Sequence, residues 1–384
     1  MQLTHKIKLD PTARQRNYFR RAGGTARFVF NWALAEWRAS YELGEKPNGN
    51  RLKKRFNAIY REAFPWVSEV HRDCHSQPFA DLQAAFANFF EKRSEYPRFK
   101  SKSRDRYSFY VANDKFQLAG RTVKLPIIGR VRMREELRFK GKVLSARVVE
   151  ECGDWFICLA VDVGELRRER VGSGIVGVDL GINHLATMST GEQVENPRPL
   201  KQAQERLARA QRKLSRRQKG SNNRLKQRRI VAKIHRRVRN VRHDGLHKLT
   251  ARLCKNHATV VIEDLAPRNM VKNHCLASSI SDASFGLFRQ QLIYKASLFG
   301  TLIVVADRYF ASSKTCSRCG AVKDKLPLVQ RTYSCGCGLR IDRDLNAAIN
   351  LVQLARATRE VTPVETLWSV AEAGTKPCPP LDAN

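Results

Sequence analysis

Two acidic residues close apolar, β-branched segments of the sequence, and a third follows a cluster of cysteines. Asp179 ends the segment 174–179, and Glu263 ends the segment 259–263. Such segments predict buried strands, in which a charged residue is rare unless its charge is used. Each acid alone is explained as well by a salt bridge or, for Asp344, by a helix cap. Taken together, the three carboxylates predict one metal site.

The chemistry of such a site follows from its charge and its ligand type. Carboxylates that are brought together repel one another unless a cation lies between them. Oxygen ligands with room for water suit Mg²⁺ or Mn²⁺, and two such ions can activate a water molecule and stabilise a leaving oxygen. The three acids therefore indicate metal-dependent hydrolysis of a phosphodiester bond.

Four of the ten cysteines are clustered before Asp344, in a Cys-x2-Cys pair and a Cys-x-Cys pair. Gly320, Gly336 and Gly338 allow the tight turns that wrap a metal ion. This pattern predicts a structural zinc ribbon, with a metal-free or partly occupied knuckle as the alternative. The predicted zinc ligands are Cys316, Cys319, Cys335 and Cys337. The other six cysteines have no disulfide spacing and are expected to be reduced: Cys74, Cys152, Cys158, Cys254, Cys275 and Cys378.

Several segments together resemble the TnpB (OrfB) family of transposon-encoded nucleases, which are relatives of the type V CRISPR effectors. The segments that carry the resemblance are 177–181, 262–265, 315–320 and 341–348. Further familial segments are 27–34, 96–100 and 372–375. The resemblance covers nearly the whole chain, and it implies a RuvC-like nuclease domain of RNase H fold.

The resemblance also implies a function and assigns residues to it. Similar proteins are RNA-guided DNA endonucleases, which cut double-stranded DNA beside a short flanking motif and take their guide RNA from the transposon end. Asp344 is the implied third ligand in preference to Asp342, because it precedes x-Asn-Ala-Ala. The implied catalytic and magnesium-binding residues are then Asp179, Glu263 and Asp344. One departure is that Gly336 alone separates the second pair of cysteines, where the family has two residues.

Two other functions remain open at this point. One is an RNA-guided DNA-binding repressor that does not cleave, which the intact set of three acids disfavours. The other is a DNA-joining transposase that shares the RNase H fold, which the resemblance to TnpB disfavours. A strand-transfer assay with transposon ends separates the second alternative from a nuclease.

Net charge is the strongest feature of the composition. The 384 residues include 71 Lys or Arg and 36 Asp or Glu, giving a formal net charge of +35. A chain this basic favours a polyanionic partner, and nucleic acid is the best candidate because counterion release rewards clustered cations. A membrane is disfavoured because no apolar run is long enough to span one. The first ten residues lack the apolar core of a signal peptide, so a cytoplasmic location is expected.

The most basic segment is 201–242, with seventeen Lys or Arg and one acid. It predicts a hairpin of two helices, the second with a buried face formed by Ile230, Ile234, Val238 and Val241. A solvated face normally mixes both signs, so the near absence of acids predicts contact with an RNA or RNA–DNA backbone. The predicted contacts on this helix are Arg228, Arg229, Lys233, Arg236, Arg237 and Arg239.

A second basic segment, 96–102, interleaves cations with aromatic residues. Its Arg98 and Lys100 suit a phosphate backbone with bases nearby. A charged linker explains the segment equally well.

The predicted fold class is multidomain, α/β and β. It comprises a RuvC-like nuclease domain of RNase H fold with a zinc-ribbon insertion, a β-barrel wedge domain, and a helical recognition lobe inserted into the wedge. Short alternating runs between residues 107 and 162 predict a small antiparallel barrel or sheet. With the first strand, it resembles the wedge domain of the family, into which the resemblance implies that the helical lobe is inserted. The predicted boundaries are 1–10 and 106–170 for the wedge, 11–105 for the helical lobe, 171–356 for the nuclease domain, 311–340 for the zinc ribbon and 357–384 for a disordered tail.

Overall fold

The computed structural model describes residues 1–327 and 329–357. The chain forms two compact units, and it passes from the first to the second between Glu165 and Leu166. Each unit has its own hydrophobic core. Within the described ranges, no helix is both long enough and apolar enough to cross a membrane.

The first unit contains seven strands, which are β1 (Gln2–Asp10), β2 (Ser108–Ala112), β3 (Gln117–Ala119), β4 (Thr122–Leu125), β5 (Gly129–Met133), β6 (Lys142–Glu151) and β7 (Asp154–Asp162). They form one antiparallel sheet in the order β2-β6-β7-β1-β5-β4-β3. Strand β7 alternates between buried and partly exposed residues, as expected when one face of a sheet covers a core. The first strand is central because it pairs with β7 from Gln2↔Asp162 to Leu9↔Trp155.

The same unit contains the helices α1 (Ala13–Glu42), α2 (Gly49–Ala63) and α3 (Asp73–Phe90). Helix α1 begins at a capping box formed by Thr12 and Gln15. Phe19, near the start of α1, packs on the sheet, with its ring centroid 5.0 Å from that of Trp155. The second half of α1 joins α2 and α3 in a separate apolar core that includes Phe56.

The second unit is built on a five-stranded sheet of β8 (Ile175–Asp179), β9 (His184–Met188), β10 (Gln193–Glu195), β11 (Thr259–Glu263) and β12 (Leu302–Ala306). The strand order is β10-β9-β8-β11-β12. Strand β9 is antiparallel to both β8 and β10. Strand β11 is parallel to both β8 and β12. The sequence predicts that an RNase H-like sheet starts with three strands, at 175–179, 185–188 and 192–195, and this arrangement confirms that prediction.

Helices cover both faces of this sheet, which explains why its central strands are apolar throughout. The helices are α4 (Pro199–Ser215), α5 (Asn222–Asn256), α6 (Pro267–Met270), α7 (Ala277–Ala283), α8 (Phe285–Phe299) and α9 (Arg343–Ala357). The core on one face includes residues of α5 and α8, and that on the other includes Leu351 and Ala355 of α9. Between β12 and α9 the chain forms a small ribbon with an antiparallel pair, β13 (Thr332–Ser334) and β14 (Arg340–Asp342).

Several elements differ from the sequence prediction. After the basic hairpin the sequence predicts a separate helix at about 246–256. This is wrong, because α5 continues through Gly245, where an added Cβ would meet no atom within 4 Å. Helix α2 was not predicted. The sequence predicts a loop from Glu263 through Asn273 and then a helix at 285–299, but the loop contains α6, and α7 lies between the loop and that helix. The predicted tail 357–384 lies outside the described residues apart from its first residue, as do Cys378 and the segment 372–375.

Candidate active site

The first two acids lie at the ends of adjacent parallel strands. Gly177 of β8 pairs with Val261 of β11. Side chains alternate along a strand, so residues two apart lie on the same face of the sheet. Asp179 follows Gly177 by two residues, and Glu263 follows Val261 by two, so both acids lie on one face. This is the face covered by α9. The sheet register alone therefore brings two of the predicted ligands to one edge.

Helix α9 brings the third acid to the same edge by packing closely on Gly177. A Cβ atom at Gly177 would lie 2.0 Å from the carbonyl oxygen of Ala348 and 3.0 Å from the Cβ of Leu351, so only glycine permits this approach. Asp344 lies one helical turn before Ala348. Its carboxylate is close enough to act electrostatically on that of Asp179.

Burial and mutual repulsion raise the pKa of all three carboxyl groups. The pKa of Asp179 lies well above its ordinary value because burial disfavours the charge and because Glu263 and Asp344 repel it. Burial also raises the pKa of Glu263, against a hydrogen bond from Ser312 that lowers it. The pKa of Asp344 is raised first by burial and then by Asp342. A hard divalent cation would relieve this repulsion, so the three acids fit Mg²⁺ or Mn²⁺.

The two acids beside this set have other partners. Oδ1 of Asp342 accepts two successive backbone N–H groups at 3.0 Å, beginning with that of Asp344, and thereby caps α9. The carboxylate of Asp264 accepts a hydrogen bond from Arg289 at 2.6 Å and is also paired with Arg308. The capping role that was the alternative explanation for Asp344 is thus performed by Asp342.

A cavity of about 340 Å³ opens beside Glu263. It is bounded by the ends of β11 and β12 and by the segment 307–314. The hydroxyl of Ser312, a residue that is 5% exposed, donates a hydrogen bond to Oε1 of Glu263. On another side of the acidic edge, the guanidinium of Arg331 lies 3.9 Å from Oδ1 of Asp344.

The four predicted zinc ligands converge in the ribbon. The sulfur atoms of Cys316, Cys319, Cys335 and Cys337 all lie within 4.8 Å of one another, and two of these distances are 3.7 and 3.6 Å. Tetrahedral zinc with Zn–S bonds of about 2.3 Å holds its sulfur atoms roughly 3.8 Å apart, so the donor set fits zinc. Among residues 1–327 and 329–357, no other group of three or more His, Cys, Asp or Glu residues is clustered closely enough to be a candidate metal site.

The backbone of the ribbon supports metal binding. Gly320 and Gly338 have φ angles of +76° and +83°, which other residues rarely adopt, in the turns beside the cysteines. Burial disfavours the thiolate of Cys316, but hydrogen bonds from the N–H groups of Cys319 and Arg318 lower its pKa to about 6. The thiolate is the form that binds zinc. The single residue between Cys335 and its partner does not prevent the four sulfur atoms from meeting.

Three amide side chains of α9 hold the ribbon, and the sequence analysis did not identify them. Nδ2 of Asn346 donates to the carbonyl of Thr315 at 2.7 Å, and its Oδ1 accepts from the N–H of Ser317 at 3.0 Å. Asn350 also donates to the carbonyl of Thr315, at 2.7 Å, and Gln353 donates to that of Ser317 at the same distance. The available signal was a row of amides at intervals of four and three on a face that should be apolar.

The predicted basic face lies on α5. Arg228, Arg229, Lys233 and Arg237 are exposed, whereas Arg236 and Arg239 are partly exposed. Four of the residues bounding a cavity of about 400 Å³ on this helix are Lys233, Arg236, Arg237 and Asn240. The remaining two are Val241 and Asp244, so this surface clusters three cations with one acid beside them.

The predicted apolar face of α5 is confirmed only in its middle. Ile234 and Val238 are buried, but Ile230 is 46% exposed and Val241 is 39% exposed. The prediction is wrong at both ends because periodicity defines a face of a helix and not the extent of the element that covers it.

The structure separates the two residues predicted in the segment 96–102. Arg98 is exposed. The ammonium of Lys100 instead lies 3.6 Å from the ring centroid of Phe30, and its backbone N–H and carbonyl each bond to the amide of Asn31 at 2.8 Å. Burial lowers the pKa of Lys100. This side chain packs on the protein but is still partly exposed, so its contact with nucleic acid stays a prediction.

Comparison with known proteins places this geometry in a family. The chain is 39% identical over 358 residues to a Streptomyces pristinaespiralis protein named "Putative RNA-guided DNA endonuclease", a match that covers 90% of this chain and 88% of the relative. The chain belongs to the TnpB (OrfB) family. Another member, InsQ of Escherichia coli K12, has the same designation and is 32% identical over 370 residues, which is 92% of each protein.

Family models and a solved structure agree with this TnpB assignment. Models described as a probable transposase (OrfB_IS605), a Cas12f1-like TNB domain and a helix-turn-helix domain match residues 157–274, 285–351 and 1–46. In the structure, the last of these ranges contains β1 and α1. The cryo-EM structure of a Cas12f1–sgRNA–target DNA complex aligns over 89% of this TnpB chain and 83% of Cas12f1, with a TM-score of 0.57 and 14% identity. The predicted family and fold class are confirmed.

Proposed function

We propose that this chain is a transposon-encoded, RNA-guided DNA endonuclease that cleaves double-stranded DNA beside a short flanking motif. The observation that carries the proposal is the convergence of three acids from β8, β11 and α9 at one edge of an RNase H-like sheet. Membership of the TnpB family adds the guide RNA and the target DNA, which are the partners that the names of its relatives imply.

The proposed ligands of the catalytic ions are Asp179, Glu263 and Asp344. When bound, Mg²⁺ or Mn²⁺ supplies an activated water molecule and stabilises the leaving oxygen of the phosphodiester. The protein holds the carboxylates in place through the register of β8 and β11 and through the close packing of α9 on Gly177. Arg331 offsets part of the negative charge at Asp344. The cavity of about 340 Å³ leaves one side of Glu263 open.

The four clustered thiolates are the proposed ligands of a structural zinc ion. Strand β14 of the ribbon ends at Asp342, and α9, the helix that carries Asp344, begins at the next residue. A metal ion in the ribbon would therefore fix the segment that precedes the third catalytic ligand.

The basic surface of α5 is the proposed contact for the backbone of the guide RNA or of its duplex with DNA. Clustered cations reward phosphate binding through counterion release. Arg98 is a further proposed contact. Base pairing with the guide would provide most of the sequence recognition, so direct base readout by the protein would be confined to the flanking motif.

The predicted domain boundaries and the cytoplasmic location are parts of the same proposal. In it, residues 1–10 and 106–170 form the wedge, 11–105 the helical lobe, 171–356 the nuclease domain and 311–340 the zinc ribbon.

The experiment that tests this function compares cleavage with guided binding. Asp179→Ala, Glu263→Ala and Asp344→Ala should each reduce cleavage of matched DNA to background, because each removes a proposed metal ligand. All three variants should still bind matched DNA through the guide RNA. Wild-type protein that binds matched DNA and never cuts it would support the repressor alternative, and joining of transposon ends in a strand-transfer assay would support the transposase.

A further inference from the structure

Ser312 is a buried residue to which the three-acid mechanism assigns no role. It lies in the segment that leaves β12 and enters the first cysteine pair. Its hydroxyl donates to Oε1 of Glu263. Its N–H donates to the carbonyl of Phe310 at 2.8 Å, and its carbonyl accepts from Nδ2 of Asn350 at 2.7 Å. All three polar groups of Ser312 are therefore engaged, and its position is fixed by both backbone and side chain.

The partner on α9 connects Ser312 to the ribbon. Nδ2 of Asn350 donates to the carbonyl of Thr315 as well as to that of Ser312, both at 2.7 Å. Thr315 directly precedes the proposed zinc ligand Cys316. Asn350 is 1% exposed, so water does not compete for these hydrogen bonds. One buried amide thus joins the cysteine knuckle, the helix that carries Asp344, and the serine that contacts Glu263.

Glu263 needs an interaction that restricts its side chain. It is the last residue of β11, and it borders the cavity of about 340 Å³. A glutamate has several rotatable bonds, and the open side of this position does not restrict them sterically. An ionised carboxylate only accepts hydrogen bonds, so one hydroxyl can orient it through one oxygen and leave the other oxygen for a cation.

We propose that Ser312 is a positioning residue that orients Glu263 for binding of the catalytic metal, and that Asn350 and the zinc knuckle hold Ser312 in place. The inference rests on the proposed function, because it assigns this hydrogen bond a role in that mechanism. It also links the two proposed metal sites. An ordered zinc knuckle would hold Asn350 and Ser312 in place, and Ser312 would in turn orient Glu263. Hydrogen-bond partners of metal ligands typically contribute roughly ten- to hundredfold to metal affinity or activity.

The test compares Ser312→Ala with Ser312→Thr, which keeps a hydroxyl, and with Ser334→Ala, which alters an exposed serine on β13 of the same ribbon. The proteins are purified with guide RNA. The measurements are the Mg²⁺ dependence of cleavage, Mn²⁺ binding by electron paramagnetic resonance, zinc content and guided DNA binding.

Ser312→Ala should need roughly ten- to hundredfold more Mg²⁺ for half-maximal cleavage and should bind Mn²⁺ correspondingly less tightly. It should keep about one zinc per chain and bind matched DNA as the wild type does. Ser312→Thr should recover most of the metal affinity. If Ser312→Ala matches Ser334→Ala in both metal measurements, the inference is overturned. That result leaves the proposed function intact whenever the wild type cuts, whereas a wild type that does not cut refutes the function itself.

The role of the buried amide is tested by Asn350→Ala. This variant should raise the Mg²⁺ requirement in the same direction while the zinc content stays at the wild-type level. Should Asn350→Ala not fold, the nearly isosteric Asn350→Leu removes the same donor without adding a charge. An unchanged Mg²⁺ requirement in either folded variant would show that Asn350 does not hold Ser312.

Discussion

Asp342 and Asp344 are two residues apart and have different partners. The carboxylate of Asp342 accepts two N–H groups of the first turn of α9. The carboxylate of Asp344 acts electrostatically on those of Asp179 and Glu263. The difference follows from position, because the residue just before a helix can reach its unpaired N–H groups. One acid therefore stabilises the helix, and the other is the proposed ligand.

This division of roles predicts that substitution of Asp342 lowers stability, whereas substitution of Asp344 abolishes cleavage. Asp342→Ala should lower the free energy of unfolding by about 1 kcal/mol through loss of the cap, and it should leave cleavage in place. Asp342→Asn should lose much less stability, since asparagine also caps helices well. Asp344→Ala should abolish cleavage. The measurements are urea denaturation and a cleavage assay, and loss of cutting in Asp342→Ala with normal cutting in Asp344→Ala would reverse the ligand assignment.

Residue types and spacing predicted the proposed metal ligands but not the side chains that hold them. The acids were visible because a charge at the end of an apolar strand is unusual, and the cysteines were visible because their clustering is. Ser312, Asn346 and Asn350 act on backbone atoms or on a side chain distant in sequence. Those contacts depend on the path of the ribbon over α9, which no local pattern encodes. The inward packing of Lys100 was missed for the same reason.

Gly177 is important at the scale of the elements because it sets the distance between β8 and α9. The backbone of α9 occupies the space where a side chain at this position would lie. Strands β8 and β11 would bring Asp179 and Glu263 together without the helix, but Asp344 reaches them only through this close packing. The geometry of the proposed site therefore depends on a residue that has no side chain.

Gly177→Ala should separate α9 from the sheet. The added Cβ would lie 2.0 Å from the carbonyl oxygen of Ala348, so the expected loss of stability is about 1–3 kcal/mol, as for overpacked cores. A displacement of Asp344 by about 1 Å should reduce cleavage by about 100-fold. The control is Gly174→Ala, where an added Cβ meets open space. Equal cleavage by the two variants would contradict the proposed role of the helix.

The existence of most elements could be predicted, but several boundaries and the three helices α2, α6 and α7 could not. The strands of both sheets follow from their alternation or from continuous apolar runs. Helix α2 has few buried apolar residues, chiefly Leu52 and Phe56, so its periodic signal is short. The continuation of α5 through Gly245 could not be predicted, because glycine in a helix costs little where the remaining turns are held by packing. Ile230 and Val241 are exposed because no neighbouring element covers those ends of the predicted apolar face, and a local pattern does not show where neighbours lie.

At the scale of the whole molecule, the charge of +35 is concentrated where the proposed nucleic acid partner would bind. The segment 201–242 contributes seventeen cations and one acid, and α5 exposes many of them. A short duplex flanking motif needs fewer phosphate contacts than this surface offers. A bound guide RNA would neutralise the surface, and binding of such a partner stabilises the folded state.

Reversal of charge on α5 should weaken RNA binding uniformly across sequences. The double variant Lys233→Glu, Arg237→Glu removes two exposed cations, so the slope of log affinity against log salt should fall by about 1 for each. Lys248→Ala is the matched control, because Lys248 is exposed on the same helix but is paired with Asp244 at 2.7 Å. Titration of RNA at several salt concentrations measures the slopes. An unchanged slope in the double variant would place the RNA elsewhere.

Replacement of the guide tests the central claim most directly. Protein purified from its host should retain, after a high-salt wash, one particular RNA whose 3′ segment matches the DNA that is cut. When that segment is replaced, cleavage by the wild type should move to DNA matching the new sequence, and Asp179→Ala should bind the new target without cutting it. Heterogeneous retained RNA, or cutting that ignores the replaced segment, would contradict RNA-guided cleavage and leave a non-specific basic nuclease.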